Sequence, residues 1–180
     1  MTLSGRRVVV VGGTSGMGLG AVRAAASAGA EVIAAGRRTA AERGAVESGD
    51  HPVRQLVLDV TDEKAVRKAF EDIGKLDHLF VTATPKAPSE PFFDQDVAAA
   101  RQFMNGKFFG SWACARYAAP RMPAGGSITF LTGCASIRPP RARPPGPFHS
   151  CRRLRRRAAR GAIDRPSCGR DHFLVSSNPP

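Results

Sequence analysis

The stretch from Arg7 to Gly36 constrains the fold more than any other part of the chain. Arg7-Val8-Val9-Val10-Val11 is an unbroken β-branched run closed by Gly12-Gly13. Such residues pack well in strands, and an apolar run without alternation belongs to a strand buried on both faces, the situation of a parallel sheet covered by helices. Thr14-Ser15-Gly16-Met17-Gly18-Leu19-Gly20 comes next, then an alanine-rich stretch to Ala28 with Gly29 behind it. A Ser/Thr start, alanines and a glycine stop predict a helix. Glu31 to Ala35 supplies a second strand, so the opening 36 residues read β-α-β.

The alternation continues down the chain. Val53 to Val60 reads as a third strand, and Thr61-Asp62-Glu63 starts a helix running to about Ile73. Asp77 to Ala83 is a fourth strand. Asp94 to Ala119 is a long helical region expected to bend at Gly106 or Gly110, and Ser127 to Leu131 is a fifth strand. Strands alternating with helices specify a parallel sheet, and right-handed crossovers make it doubly wound. The expected fold is therefore α/β and Rossmann-like, ending after the fifth strand, with an irregular Arg/Pro-rich tail behind it.

Gly12, Gly16 and Gly18 stand between the first strand and its helix. Glycines allow a tight turn and close approach to a pyrophosphate, and the helix N-terminus adds unpaired N–H groups and a positive dipole end. The same glycines also serve a close helix–strand crossing without a ligand, so the motif alone leaves both readings open. Four landmarks in order narrow it. Val11-Gly12-Gly13-Thr14-Ser15-Gly16-Met17-Gly18 resembles the T-G-x-x-x-G-x-G of the short-chain dehydrogenase/reductase family, with Val11 in place of the usual Thr. Leu58-Asp59-Val60 resembles its adenine-contacting Asp-Val pair. Val81-Thr82-Ala83-Thr84 stands where that family has N-N-A-G, and Gly126 to Leu131 resembles its fifth strand. The resemblance covers residues 1 to about 137. It implies cofactor contacts at Gly12, Thr14, Ser15, Gly16, Met17, Gly18, Asp59, Val60, Ala83 and Thr84.

Cofactor choice follows from charge. NAD sites end the second strand with an acid for the ribose hydroxyls, whereas the 2′-phosphate of NADP calls for a cation. Here the strand ends Gly36-Arg37-Arg38. An arginine fork suits a phosphate, so NADP(H) is expected in preference to NAD(H), with Arg37 and Arg38 as contacts. A solvated arginine pair is the plainer alternative.

The family's reaction moves a hydride between nicotinamide and a carbonyl/alcohol pair. It uses a Tyr as acid/base, a Lys four residues later, a Ser that orients the substrate and an Asn that holds a water. A phenol with a pKa of about 10 needs a neighbouring cation to work near neutrality. In this sequence the Ser position falls on Gly133, with Thr132 and Ser136 beside it; the Tyr and Lys positions fall near Gly146 and Ser150. The only tyrosine, Tyr117, lies upstream, and no lysine follows Lys107. Lys107 occupies the Asn position in K-x-x-G and is the one candidate acid/base, against the ordinary role of a surface lysine.

Composition divides the chain. The whole carries +12, but residues 138–180 hold eleven Arg against two Asp and eight of the 14 prolines, leaving +3 for the first 137 residues. The domain boundary is therefore drawn at 137, with 138–180 expected to be a disordered basic tail. Three readings of that tail remain open. Cys151 to Arg160 is a basic run that could meet nucleic acid, although it carries no interleaved aromatic. His149, Cys151, Cys168 and His172 are metal-ligand types at spacings unlike a zinc finger. The third reading is a shifted frame of a GC-rich gene, which produces this Arg/Pro/Ala/Gly mixture.

The expected function is NADP-dependent oxidoreduction of a carbonyl/alcohol pair. The alternatives are a catalytically silent NADP(H)-binding remnant and a nucleic-acid-binding tail. The expected partner is a small carbonyl or alcohol; nucleic acid and membrane are not expected, and any homo-oligomer should use the helices of 94–122. With no secretory leader pattern, no long apolar run and four cysteines without close pairing, a cytoplasmic location is expected. Sequencing the encoding DNA checks the third reading of the tail. A family-like continuation, with Tyr and Lys four residues apart, is expected in another frame; its absence from all frames removes the idea.

Overall fold

The structure is a computed structural model that describes residues 2–38, 52–85 and 94–133. The basic tail 138–180, Ser136, and the His149, Cys151, Cys168 and His172 set lie outside the described residues.

The elements run β1 Arg7–Val11, α1 Gly16–Ser27, β2 Glu31–Gly36, β3 Val53–Val57, α2 Glu63–Ile73, β4 His78–Val81, α3 Val97–Met104, a π turn Asn105–Phe109, α4 Gly110–Ala118, a 3-10 turn Ala119–Arg121, and β5 Ser127–Phe130. The five strands form one parallel sheet in the order β3-β2-β1-β4-β5. The doubly wound α/β fold expected from the alternation is present. The chain fills β1, β2 and β3 outward in one direction and then returns across the sheet to place β4 on the other side of β1. β5 pairs only with β4 among the described residues, and all four of its residues are half-buried.

Two apolar layers explain the unbroken Val run. Val9 and Val11 face one side with Ile33, Leu79 and Val81, against Val66, Phe70 and Ile73 of α2 and Cys114 and Ala118 of α4. Val8 and Val10 face the other side with Val32 and Ala34, against Val22, Ala25 and Ala26 of α1. Alternate side chains of one strand thus feed two cores, so neither parity of the strand is polar. α1 is alanine-rich on its inner face, which lets its backbone lie close to the sheet.

The edges of several elements differ from the sequence expectation. β3 stops at Val57 rather than Val60, because Asp59 turns the chain by accepting from both the N–H and the hydroxyl of Thr61. β4 ends at Val81 rather than Ala83: the N–H groups of Thr82 and Ala83 both reach back to the Val11 carbonyl. The long helix is interrupted between the two suspected glycines by the π turn of 105–109. Both glycines are crowded there. A Cβ on Gly106 would run into Pro85, and one on Gly110 would lie 2.7 Å from Val60 Cγ2.

At the N-terminal end of the sheet, Asp77 ties β1 to β4. Its carboxylate accepts from the Arg7 N–H at 2.9 Å and from the Arg6 guanidinium at 2.8 Å, while its own N–H donates to the Arg7 carbonyl. The Arg7 side chain donates to the carbonyls of Ile73 and Lys75 and to Glu31. The Arg7 N–H, followed by the Arg6 guanidinium, holds the Asp77 carboxyl below its ordinary value. A depressed carboxylate contributes stability above its unfolded pKa of about 3.9, and the contribution is lost as pH falls through the folded value. Asp77→Ala is expected to cost about 1–3 kcal/mol at pH 7 by urea unfolding. The difference from the parent should shrink below about pH 4; a pH-independent difference would show that the carboxylate charge is not involved.

Candidate functional site

The C-terminal ends of β1 and β4 part where the strand order reverses, and the two chains leave toward opposite faces. That divergence opens a crevice, the usual ligand position in an open α/β sheet. Here it is a cleft of about 980 Å³. All twelve residues singled out as cofactor contacts line it: Gly12, Thr14, Ser15, Gly16, Met17, Gly18, Arg37, Arg38, Asp59, Val60, Ala83 and Thr84. Residues from four separate loops are therefore brought to one surface.

The three glycines are required for three different reasons. Gly12 has φ +88°, and a Cβ there would lie 2.5 Å from Thr82 Oγ1, so the end of β1 can touch the end of β4 only without a side chain. At Gly18 a Cβ would collide with the Gly12 carbonyl, so this position lets α1 start against the strand. Gly16, at φ +54°, has no protein atom within 4 Å of a built Cβ although it lines the cleft. Its bareness leaves room in the cleft and serves no packing contact.

Ser15 precedes α1 in an extended conformation, and its side chain makes no cap hydrogen bond. No acid lies in the first turn, whose N–H groups carry the positive end of the helix dipole beside the cleft. Arg37 and Arg38 are exposed on the cleft wall just beyond β2. Asp59 is held below its ordinary pKa by the Thr61 N–H first, then the Thr61 hydroxyl and Arg37, against an opposing push from burial. It stays ionised, and its geometry is fixed by Thr61.

Several cleft residues escaped the sequence reading. Thr82 donates to the Val11 carbonyl at 3.1 Å and ties the two strand ends together. Gly36 makes room for Thr14, whose Oγ1 would lie 2.6 Å from a Cβ there. Ala99, Gln102 and Phe103 of α3 close the far side. Thr82 could have been found, since it stands in the quoted Val81-Thr82-Ala83-Thr84 segment. The α3 residues carried no sequence signal, because only the way α3 runs into the π turn decides which of its faces meets the cleft.

Other candidates are placed elsewhere. Tyr117 lies on α4 and donates to Glu63 Oε1 at 2.7 Å, which raises its pKa; it is not a cleft residue. Thr132 and Gly133 are exposed beyond β5 and do not line the cleft. Lys107 is half-buried, not a surface charge: its Nζ donates to Thr84 Oγ1 at 3.0 Å and to the Leu131 carbonyl at 2.7 Å. Among the described residues no group of His, Cys, Asp and Glu could hold a metal ion. None of the described helices is long and apolar enough to cross a membrane.

The family model described as Enoyl-(Acyl carrier protein) reductase matches residues 11–141, from the last residue of β1 through the cleft and β5. This chain belongs to the short-chain dehydrogenase/reductase family. It is 32% identical over 128 residues to cis-4-hydroxycyclohexanecarboxylate dehydrogenase of Sinomonas cyclohexanicum, an alignment covering 68% of this chain and 51% of that one. A solved short chain dehydrogenase/reductase family protein is similar at 31% identity and TM-score 0.70, over 81% of this chain and 61% of that one. A short chain dehydrogenase of Burkholderia cenocepacia J2315 in complex with NADP is similar at 26% identity and TM-score 0.70, over 79% and 61%. The chain spans about half the length of the curated relative.

The glycines can be tested as a pair. Gly18→Ala is expected to destabilise the chain by about 1–3 kcal/mol, because the helix start must move off the Gly12 carbonyl. Gly20→Ala, in the same helix with open space at its Cβ, should stabilise by about 0.5–1 kcal/mol. Thermal unfolding of the two variants beside the parent checks the opposite signs.

Proposed function

We propose that the cleft binds a nicotinamide dinucleotide, NADP(H) in preference to NAD(H), for oxidoreduction of a small carbonyl/alcohol pair. The observation that carries the reading is the placement of Arg37 and Arg38 on the cleft wall at the end of β2, where an NAD site has an acid. The fit of a dinucleotide is supported by the start of α1 beside the cleft for a pyrophosphate and by the open space over Gly16. Gly12 through Gly18 would hold the pyrophosphate side, Arg37 and Arg38 the 2′-phosphate, and Asp59 and Val60 the adenine, with Ala83 and Thr84 lining the cleft beyond it. When bound, the cofactor supplies or accepts a hydride. The similar structure in complex with NADP and the relative that oxidises a hydroxycyclohexane acid favour this class of cofactor and substrate.

Residues 1–137 are proposed as the cofactor-binding unit and 138–180 as a separate basic tail. A cytoplasmic setting is proposed from the four cysteines without close pairing. A homo-oligomer through the helices of 94–122 is favoured by Val97, Met104, Phe108 and Trp112, large apolar side chains each about half exposed or more on one helical run. The second reading, an NADP(H)-binding chain without turnover, is favoured by the sequence lacking a Tyr/Lys pair after β5.

Thermal shift with each cofactor tests the site. A larger shift is expected with NADP(H) than with NAD(H). Arg37→Ala should weaken NADP(H) binding about tenfold to a hundredfold, the loss of one charge-assisted phosphate contact, and leave NAD(H) unchanged. Equal shifts for the two cofactors contradict the arginine argument, and no shift with either removes the site.

A further inference from the structure

Two departures from the family's pattern touch one another. Thr84 stands where the pattern has glycine and Lys107 where it has asparagine. Lys107 Nζ donates to Thr84 Oγ1 at 3.0 Å, and Thr84 Oγ1 donates onward to the Thr82 carbonyl at 3.2 Å. The second acceptor of Lys107 is the Leu131 carbonyl at 2.7 Å. Thr84 follows β4, Leu131 follows β5, and both line the cleft. The ammonium therefore bridges two strand ends and backs a threonine that lines the site.

The helix reaches this position because of the π turn. Gly106 lies bare against Pro85 and Gly110 against Val60, so the turn presses on the loops after β4 and β3. Lys107, between these two glycines, is carried inward with it. None of the ion pairs among the described residues includes Lys107. Burial lowers its pKa, with no contribution from a carboxylate or a second cation. A lysine ammonium has three N–H donors, and two are committed to neutral acceptors. The proton on the N–H that points at Thr84 Oγ1 is the one that can pass to that oxygen, after which the neutral amine accepts from the restored hydroxyl.

We propose that Lys107 and Thr84 form one hydrogen-bonded couple that delivers a proton to the oxygen of a carbonyl substrate in the cleft. This rests on the reading of the cleft as an NADP(H) and carbonyl site. In the reducing direction, the Thr84 hydroxyl turns from the Thr82 carbonyl to the substrate oxygen. Its O–H bond breaks as the substrate O–H bond forms, and an N–H bond of Lys107 breaks to restore the threonine hydroxyl. Lys107 is left as the neutral amine and regains its proton from water. A reduced nicotinamide held in the cleft would supply the hydride for the carbonyl carbon, and the product would be the alcohol. Thr84 touches substrate; Lys107 is a positioning and proton-supplying residue acting through it.

The chain has five lysines, and protein labelled with 13C at lysine Cε lets each be titrated by NMR, with the Lys107 signal assigned by its loss in Lys107→Met. Lys107 is expected to titrate below the ordinary lysine value, because burial disfavours its charged form. Thr84→Val should lower its midpoint further by removing an acceptor of the charged form. A Lys107 midpoint at the ordinary lysine value, or one unmoved by Thr84→Val, overturns the couple.

Ketone reduction by NADPH, across a panel including cyclohexanone, tests proton delivery. The rate should fall as pH rises through the Lys107 midpoint, and Lys107→Met should lower it at least about a hundredfold. A rate flat across that midpoint, or no reduction of any ketone, overturns delivery. NADP(H) thermal shifts of the parent and of Lys107→Met separate the two readings. Retained shifts without pH-dependent reduction remove the proton couple alone, and no shift in the parent removes the cofactor site as well.

Discussion

The contact on which the site depends is the meeting of β1, α1 and β4 at Gly12. The Val11 carbonyl receives the Thr82 hydroxyl and the N–H groups of Thr82 and Ala83, and α1 begins within touching distance of the Gly12 carbonyl at Gly18. No side chain fits at either glycine. The strand ends are thus locked together just below the point where the chain directions separate, and the crevice above them inherits its width from that lock. Helix dipole, arginine pair and Asp59 turn are all placed relative to this crossing.

The opposite end of the sheet is fastened by charge. Asp77 and Arg7 exchange hydrogen bonds between β1 and β4, and the Arg7 side chain satisfies the carbonyls left by the end of α2. Between these two ends the strands are apolar on both faces, so register there is fixed by packing on α1 on one side and on α2 and α4 on the other. Above the glycine crossing this chain departs from its family's pattern at Thr84, after β4, and at Lys107, in the π turn that touches it.

The fold was legible because its signals are local. The Val8 to Val11 run, the alanine-rich helix stopped by Gly29, and the amphipathic α2 each declare their element within a few residues. The twelve cleft residues were legible because β1 and the third and fourth strands end in recognisable turns on the same edge of the sheet. Strand lengths were overestimated at Val60 and Ala83, since Asp59 and Thr82 divert the chain through hydrogen bonds to Thr61 and Val11 that apolar patterning does not register.

Sequence alone determined the class of fold, the crossing glycines and the arginine pair at the end of β2, because each depends on neighbouring residues and on backbone sterics. It could not decide what Lys107 does. On a straight helix between Gly106 and Gly110, Lys107 reads as a solvated charge. The π turn, pressed against Pro85 and Val60, brings it to the Thr84 hydroxyl and the Leu131 carbonyl, its acceptors among the described residues. Those contacts join residues 23 and 24 positions apart, and only the packing of three elements at one end of the sheet brings them within hydrogen-bonding distance.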